Sequence, residues 1–104
     1  MSFAVLAEPA RRQILDLLRE RERSVGELVR DLRLSQPGVS KHLRVLRDAG
    51  LVSARVDAQR RVYRVQPEAL EEIDAWLAPY RRMWTESLAA LDAHLAAIDE
   101  GRRG

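Results

Sequence analysis

The spacing of the apolar residues changes at Gly50, and this change limits the folds that the chain can adopt. Before Gly50, apolar residues recur every three or four positions, which is the period of an α-helix. After it, residues 51–56 and 61–65 are rich in β-branched residues and roughly alternate, which is typical of strands. Residues 57–60 separate these segments, so we predict a β-hairpin with a four-residue loop among helices.

Capping signals divide the first fifty residues into three helices. Pro9 suits the first turn of a helix, where its missing N–H costs nothing. Ser24 and Glu27 have the spacing of a capping box and predict a short second helix. Ser35 predicts the start of a third helix, which runs to about Ala49 and stops at Gly50.

A long helix is predicted after the hairpin. From Pro67 onward, apolar residues step by three or four in a heptad-like seam. We expect Pro79 to kink or split this helix near residues 77–78, and residues 101–104 to form a frayed tail.

The order of helix, short helix, helix, hairpin and long helix describes a winged helix-turn-helix. The predicted fold class is therefore mostly α with a small β-hairpin. At this length we expect one domain over residues 1–104. Its predicted parts are a helix-turn-helix over about 25–49, a wing over about 51–66 and a C-terminal dimerisation helix over about 67–100.

The positive charge of the chain lies in its central part. Residues 30–64 contain eight Arg and one Lys against three Asp, whereas residues 65–104 contain four Arg against eight acidic residues. Such a basic block attracts polyanions such as nucleic acid. The sequence contains no cysteine, which excludes disulfides and thiolate metal sites. No signal peptide or membrane-length apolar run is visible, so we expect a cytoplasmic protein with no membrane partner.

The third predicted helix has an apolar and a polar side. A helical wheel places Val39, Leu43 and Leu46, with Ala49, on the inner side. The other side carries groups that can bond base edges or phosphates, although a solvated helix face would look similar. We expect base-edge contacts from Gln36, Ser40 and Arg44, and phosphate contacts from Lys41 and Arg47. His42 is expected either to pack within the protein or to contact a phosphate. The predicted DNA-binding residues of this helix are Gln36, Pro37, Ser40, Lys41, His42, Arg44 and Arg47.

The hairpin strengthens the nucleic-acid interpretation because it concentrates arginine near its loop. Exposed arginine on a protruding hairpin can follow the DNA backbone or enter a narrow minor groove. Charge can also protect the edge of a small sheet, but four Arg against one Asp exceed that need. The predicted DNA-binding residues of the wing are Arg55, Arg60, Arg61 and Arg64.

Three segments of the chain resemble regulators of the ArsR family. They are residues 6–15 (LAEPARRQIL), residues 34–52 (LSQPGVSKHLRVLRDAGLV) and residues 60–63 (RRVY). The resemblance implies a dimeric prokaryotic transcription factor, usually a repressor, whose helix from Ser35 enters the major groove. The sequence departs from the family pattern at Arg33 and in the wing loop, where glycine is usual, so Arg33 predicts a strained left-handed backbone.

The metal ligands of the family are incomplete in this chain. Residues 28–32 lack the cysteine pair that the family's thiophilic-metal sensors carry. Asp92 and His94 match half of the second family site, but two ligands per subunit do not close a tetrahedral zinc site. We therefore predict no metal site, no cofactor and no regulation by metals.

The apolar seam of the last helix predicts a homodimer. A monomer would expose it as a large apolar patch, which two-fold pairing would bury. The stripe of Trp76, Tyr80 and Trp84 suits dimer packing, with a pocket for a small-molecule effector of unknown identity as the alternative. The predicted interface residues are Phe3, Leu6, Leu70, Ile73, Trp76, Leu77, Tyr80, Trp84, Leu88, Leu91 and Leu95.

These features favour a sequence-specific regulator that binds double-stranded DNA as a homodimer at an inverted-repeat operator and acts as a repressor. No nucleophile–base pair, carboxylate dyad or glycine-rich phosphate loop is visible, so we expect no enzymatic activity. The remaining alternative is a winged helix for non-specific nucleic-acid packaging or protein–protein contact.

Overall fold

The computed structural model describes residues 3–103, with side chains to Gly101. The helices are α1 (Pro9–Glu20), α2 (Val25–Leu32), α3 (Gln36–Asp48) and α4 (Leu70–Arg103), and the strands are β1 (Arg23–Ser24), β2 (Val52–Asp57) and β3 (Arg60–Val65). Short 3₁₀ helices at Phe3–Ala7 and Pro67–Ala69 precede α1 and α4. The predicted fold class, mostly helical with a small sheet in a winged helix-turn-helix, is confirmed. The chain forms two compact units, one ending at Glu71 and the other beginning at Glu72.

The predicted helix caps are present. The Glu27 backbone N–H donates to Ser24 Oγ, and the Ser24 N–H donates back to Glu27 Oε1, each at 3.2 Å. Arg33 ends α2 in the left-handed region at φ 57°, as its position predicts. Gly50 has φ 79° directly after α3, which only glycine adopts without steric cost.

The sheet differs from the predicted hairpin in two respects. A third strand, β1, pairs antiparallel with β3, so the strand order is β1-β3-β2. Asp57 and Arg60 are also cross-strand partners, which reduces the loop to Ala58 and Gln59. The prediction of a four-residue loop was therefore wrong. Ala58 takes φ 58° at the first loop position, where a tight hairpin turn usually has glycine or asparagine.

A single apolar core holds α1, α2, α3 and the sheet together. This core determines which side of α3 faces outward, because the opposite side of that helix is fully buried in the core. Leu6, predicted at a dimer interface, is partly buried and packs against this core of its own chain. The buried core residues are Ile14, Leu18, Leu28, Val39, Leu43, Leu46, Leu51, Val52 and Tyr63.

Helix α4 continues without interruption from Leu70 to Arg103, so Pro79 does not split it. Proline removes one backbone hydrogen bond, and in an exposed helix water can satisfy the freed carbonyl. Arg81 also spans this position, since its Nη1 lies 2.8 Å from Asp74 Oδ1. The expected frayed tail is wrong for residues 101–103, which are helical, and residue 104 lies outside the described residues. No described helix has the length and apolar character that crossing a membrane requires.

Candidate nucleic-acid interface

Helix α3 presents a polar and basic face on the side away from the core. Its start is fixed by Ser35 Oγ, which accepts from the Gly38 N–H at 3.1 Å. Ser40 and His42 are half-buried, and the other predicted residues of this helix are exposed: Gln36, Pro37, Lys41, Arg44 and Arg47. The predicted inner residues Val39, Leu43 and Leu46 are fully buried, and Ala49 is partly buried. The predicted division of α3 into two faces is therefore confirmed.

A groove of about 470 Å³ separates this face of α3 from the wing. It brings three predicted residues of α3, Ser40, Arg44 and Arg47, together with Arg61 of β3. Its complete lining is Val25, Ser40, Arg44, Arg47, Asp48, Arg61 and Tyr63. Three guanidinium groups and one carboxylate give this groove a positive net charge.

The cations of the groove are available to a ligand. Within the described part of the chain, the side chains of Arg44, Arg47 and Arg61 make no hydrogen bond or ion pair. A guanidinium presents its donors in a planar fork that matches phosphate oxygens and the edge of guanine. The groove is thus a concentration of unsatisfied donors suited to an anionic, base-bearing polymer.

The strand register divides the predicted wing arginines between the two faces of the sheet. Side chains alternate along a strand, so Arg61 and Tyr63 share the face that borders the groove. Arg64 is the cross-strand partner of Ser53 and lies on the opposite face with Arg55. Both arginines line a smaller cavity of about 310 Å³ on that face. The structure therefore brings only Arg61 of the four into the groove beside α3.

Three wing arginines already have partners within the chain. Arg55 donates from Nη2 and Nε to Glu22 Oε2 at 2.7 and 3.2 Å, and this carboxylate raises the pKa of Arg55. Arg60 lies 3.7 Å from Glu27 Oε1 and 3.8 Å from Asp57 Oδ2. The remaining one, Arg64, donates from Nε to Ser53 Oγ at 3.2 Å.

Glu27 links the start of α2 to nearby arginines. Arg21 Nη1 donates to Glu27 Oε2 at 2.8 Å. This guanidinium, followed by the Ser24 backbone N–H, lowers the pKa of Glu27 from 4.5 to about 2. The carboxylate therefore stays ionised under all but strongly acidic conditions, and it holds the cap of α2 in place.

His42 is directed toward the N-terminal segment of the chain. The ring Nδ1 of His42 lies 3.5 Å from Arg11 Nη1, and Arg11 Nε donates to the Val5 carbonyl at 2.6 Å. This contact fits the packing role that the sequence leaves open for His42. It connects α3 to α1 on a side of α3 that the groove does not include.

Sequence reasoning does not predict three residues of the groove lining. The helical period places Val25 on the inner face of α2, and Tyr63 stands out only as part of the wing segment. Asp48 gives no signal, because its position beside the guanidinium groups depends on where β3 packs against α3. It is the acidic member of this basic groove.

Metal-ligating residues do not gather in the described structure. Among residues 3–101, no three His, Asp or Glu side chains lie close enough to hold a metal ion. Asp92 and His94, the partial match to a family site, lie on α4. The absence of metal regulation stays a prediction.

Comparisons with known proteins place the chain among bacterial regulators. A family model described as bacterial regulatory protein, arsR family, matches residues 8–54. The HTH-type transcriptional regulator Rv2034 of Mycobacterium tuberculosis is 41% identical over 87 residues, which cover 84% of this chain and 78% of the relative. A probable mercury resistance operon repressor of Streptomyces lividans is 36% identical over 97% of this chain and 78% of its own length.

A solved structure agrees with the sequence comparisons. The crystal structure of Rv0081 from Mycobacterium tuberculosis matches with a TM-score of 0.63 and 40% identity, covering 83% of this chain and 88% of that one. The family and these relatives are transcriptional regulators rather than enzymes. Sequence and fold thus show that this chain is a transcriptional regulator of the ArsR family of bacterial regulatory proteins.

Proposed function

We propose that this regulator binds double-stranded DNA sequence-specifically by placing α3 in the major groove. The observation that carries the proposal is the groove beside α3, where three guanidinium groups converge without an intramolecular partner among the described residues. The major groove of B-form DNA is about 12 Å wide and admits one α-helix. The buried side of α3 is rigidly held by the core, so its outer face can dock without rearrangement.

The position of each side chain suggests its role. Gln36, Ser40 and Arg44 lie along the outer side of α3 and contact base edges in the proposed complex. Lys41 and Arg47 bind phosphates, which fix the register of the protein on the duplex but carry no sequence information. Arg44 is the strongest candidate for specificity, because arginine pairs with guanine through two hydrogen bonds.

Within the wing, Arg61 is the proposed backbone contact. It borders the same groove as Arg44, so one DNA strand lying in this groove would meet both guanidinium groups. Arg55 would first have to leave the Glu22 carboxylate, and it lies on the opposite face of the sheet. We therefore assign Arg55 a smaller part in DNA binding than the sequence suggests.

The proposed regulator is a homodimer. Helix α4 exposes a row of large apolar side chains, among them Trp84 at 67% exposure and Tyr80 at 51%. Exposed apolar side chains in this number along one helix favour association with a second copy. The exposed apolar residues of α4 are Leu70, Trp76, Leu77, Tyr80, Met83, Trp84, Leu88, Leu91, Leu95 and Ile98, with Phe3 exposed in the 3₁₀ helix before α1.

A two-fold dimer would carry two copies of α3. Each copy would meet a half-site about 34 Å, one helical turn, from the other, so the operator would be an inverted repeat. We propose that binding represses transcription, as the name of the relative from Streptomyces lividans states for that protein. A regulator of this bacterial family would act in the cytoplasm, where its DNA is.

The proposal is tested by selecting binding sites from random duplex DNA at two salt concentrations. We expect an inverted repeat that is bound far more tightly than random DNA at physiological salt. Arg44→Ala should relax the preference at one base pair by about 1–3 kcal/mol. Arg61→Ala should weaken all sequences alike and reduce the salt slope by about one.

Arg55→Ala is the matched control, because it removes a wing arginine that borders a different cavity. We expect it to change the affinity less than Arg61→Ala does. If no motif is recovered and the DNA affinity falls steeply as salt rises, the complex depends on phosphate contacts alone. Non-specific packaging of nucleic acid would then replace this proposal.

The dimer is tested separately by sedimentation velocity at micromolar concentration. We expect a dimer for the natural chain and a monomer for Leu88→Glu, since the charge would enter the proposed seam. Glu86→Lys, at an exposed position on another side of α4, should remain dimeric. A natural chain that sediments as a monomer would contradict the proposed assembly.

A further inference from the structure

Another cavity, of about 470 Å³, lies at the C-terminal end of α1 on the side of the sheet where Arg64 lies. Its apolar walls come from Leu18, Val65, Pro67 and Leu70. Leu18 is buried in the core, whereas Leu70 is 40% exposed, so the cavity has an apolar floor and an open mouth. Its volume falls within the range of about 300–1,000 Å³ that small-molecule sites occupy.

Charged side chains stand around this apolar space. They are Arg19, Arg21, Glu22 and Arg64. Two of the four are neutralised within the chain, because Arg21 bonds Glu27 at 2.8 Å and Glu22 bonds Arg55 at 2.7 Å.

The other two cations, Arg19 and Arg64, have N–H donors that form no hydrogen bond among the described residues. Arg19 makes no side-chain hydrogen bond or ion pair among the described residues. Arg64 uses Nε for Ser53, while its two terminal nitrogens have no partner in that part of the chain. The cavity therefore combines apolar walls with an uncompensated charge of +2 at its edge.

We infer that this cavity binds a small organic anion, namely a carboxylate carried on a short apolar chain. The apolar chain would cover Leu18 and Leu70, and its removal from water supplies the main favourable term. The carboxylate would accept hydrogen bonds from Arg19 and Arg64, since a charged acceptor forms the stronger kind of bond with guanidinium. A neutral molecule of the same shape gains only the apolar part.

The site is distinct from the proposed DNA groove, and Leu70 is the one residue of its lining that also belongs to the apolar surface of the proposed dimer. It shares no residue with that groove, and its binding can be measured without DNA. Arg64 belongs to β3, as does Arg61 of the groove, so a ligand held by Arg64 would contact the strand that carries the proposed backbone contact. The sequence suggests an effector pocket at Trp76, Tyr80 and Trp84 instead, but these side chains are each more than half exposed.

The test is a titration of the ¹⁵N-labelled full chain with sodium octanoate, followed by amide chemical shifts. We expect shifts centred on Leu18, Arg19 and on residues 64–70, and weaker binding of 1-octanol, which has the same chain without the charge. Arg19→Gln and Arg64→Gln should each weaken octanoate by about two- to fivefold, as expected for partly exposed ion pairs, and leave 1-octanol unchanged.

Arg30→Gln is the matched control, because Arg30 is exposed on α2 outside the cavity. It should bind octanoate as the natural chain does, and thermal melts should show that all three variants are folded. The inference is overturned if millimolar octanoate causes no shifts, if the shifts fall only on α4 beyond residue 72, or if octanol binds as tightly as octanoate. Because no DNA is present, failure here would leave the proposed DNA binding untouched.

Discussion

Arg23 is the charged residue on which the attachment of the wing depends most directly. It is 7% exposed and lies in β1, where it pairs with Tyr63 of β3. Its guanidinium donates to Asp31 at 2.5 Å, to Glu20 at 2.9 Å and to the Leu17 carbonyl at 3.1 Å. One side chain thus ties the end of α1, helix α2 and the sheet together.

Arg23→Met keeps most of the apolar stem and removes all three bonds. The carboxylates of Glu20 and Asp31 are 61% and 39% exposed, so water replaces the lost partner and each pair contributes only about 0.2–1 kcal/mol. The Leu17 carbonyl loses a donor in a partly buried place, at about 1 kcal/mol. We expect the free energy of unfolding to fall by about 2 kcal/mol and Tm by about 8–16 °C.

Chemical denaturation at a fixed protein concentration measures this loss, since the stability of the proposed dimer would depend on concentration. Arg30→Met is the control, because Arg30 is exposed and makes no side-chain bond in the described residues, and it should change stability by less than about 0.5 kcal/mol. Asp31→Asn should cost less in the Arg23→Met background than alone. A loss below about 0.5 kcal/mol for Arg23→Met would refute the reasoning that this cluster holds the sheet in place.

Three further outcomes are expected. Because the pKa of Glu27 is lowered, its ionised form stabilises the fold above pH 4.5, and this contribution is lost as the pH falls toward 2. In acid denaturation, the stability difference between the natural chain and Glu27→Gln should therefore shrink over that pH window. A constant difference would contradict the assignment. Ala58 and Gly50 both have positive φ, which glycine adopts at the lowest steric cost. Ala58→Gly should therefore raise stability by roughly 0.5 kcal/mol, and Gly50→Ala should lower it by about 1 kcal/mol. Thermal melts that show the opposite signs would contradict the left-handed backbone at these two positions. Finally, Zn²⁺ should not release DNA, and calorimetry showing a stoichiometric zinc site coupled to DNA release would overturn this expectation.

Local sequence determined the helices of the N-terminal unit and their boundaries. The cap at Ser24, the cap at Ser35 and the stop at Gly50 each depend on residues within three or four positions, so a single sequence suffices to predict them. The faces of α3 follow from the same short period. The outward-facing residues of α3 can therefore be identified from the helical period alone.

Contacts between distant segments decided the rest. The pairing of β1 with β3 joins two-residue and six-residue strands some forty positions apart, and nothing local in Arg23 and Ser24 marks them as a strand. The alternation of the strand predicts only that Arg61 and Arg64 lie on opposite faces, and the packing of β3 decides that the face carrying Arg61 is the one beside α3. Helix α4 passes through Pro79 because an exposed helix can satisfy the freed carbonyl with water, which a local rule about proline does not include.

The sequence by itself determined which residue types this regulator would offer to DNA. Only the tertiary structure decided which of them share one groove, since that depends on strand pairing across the whole unit.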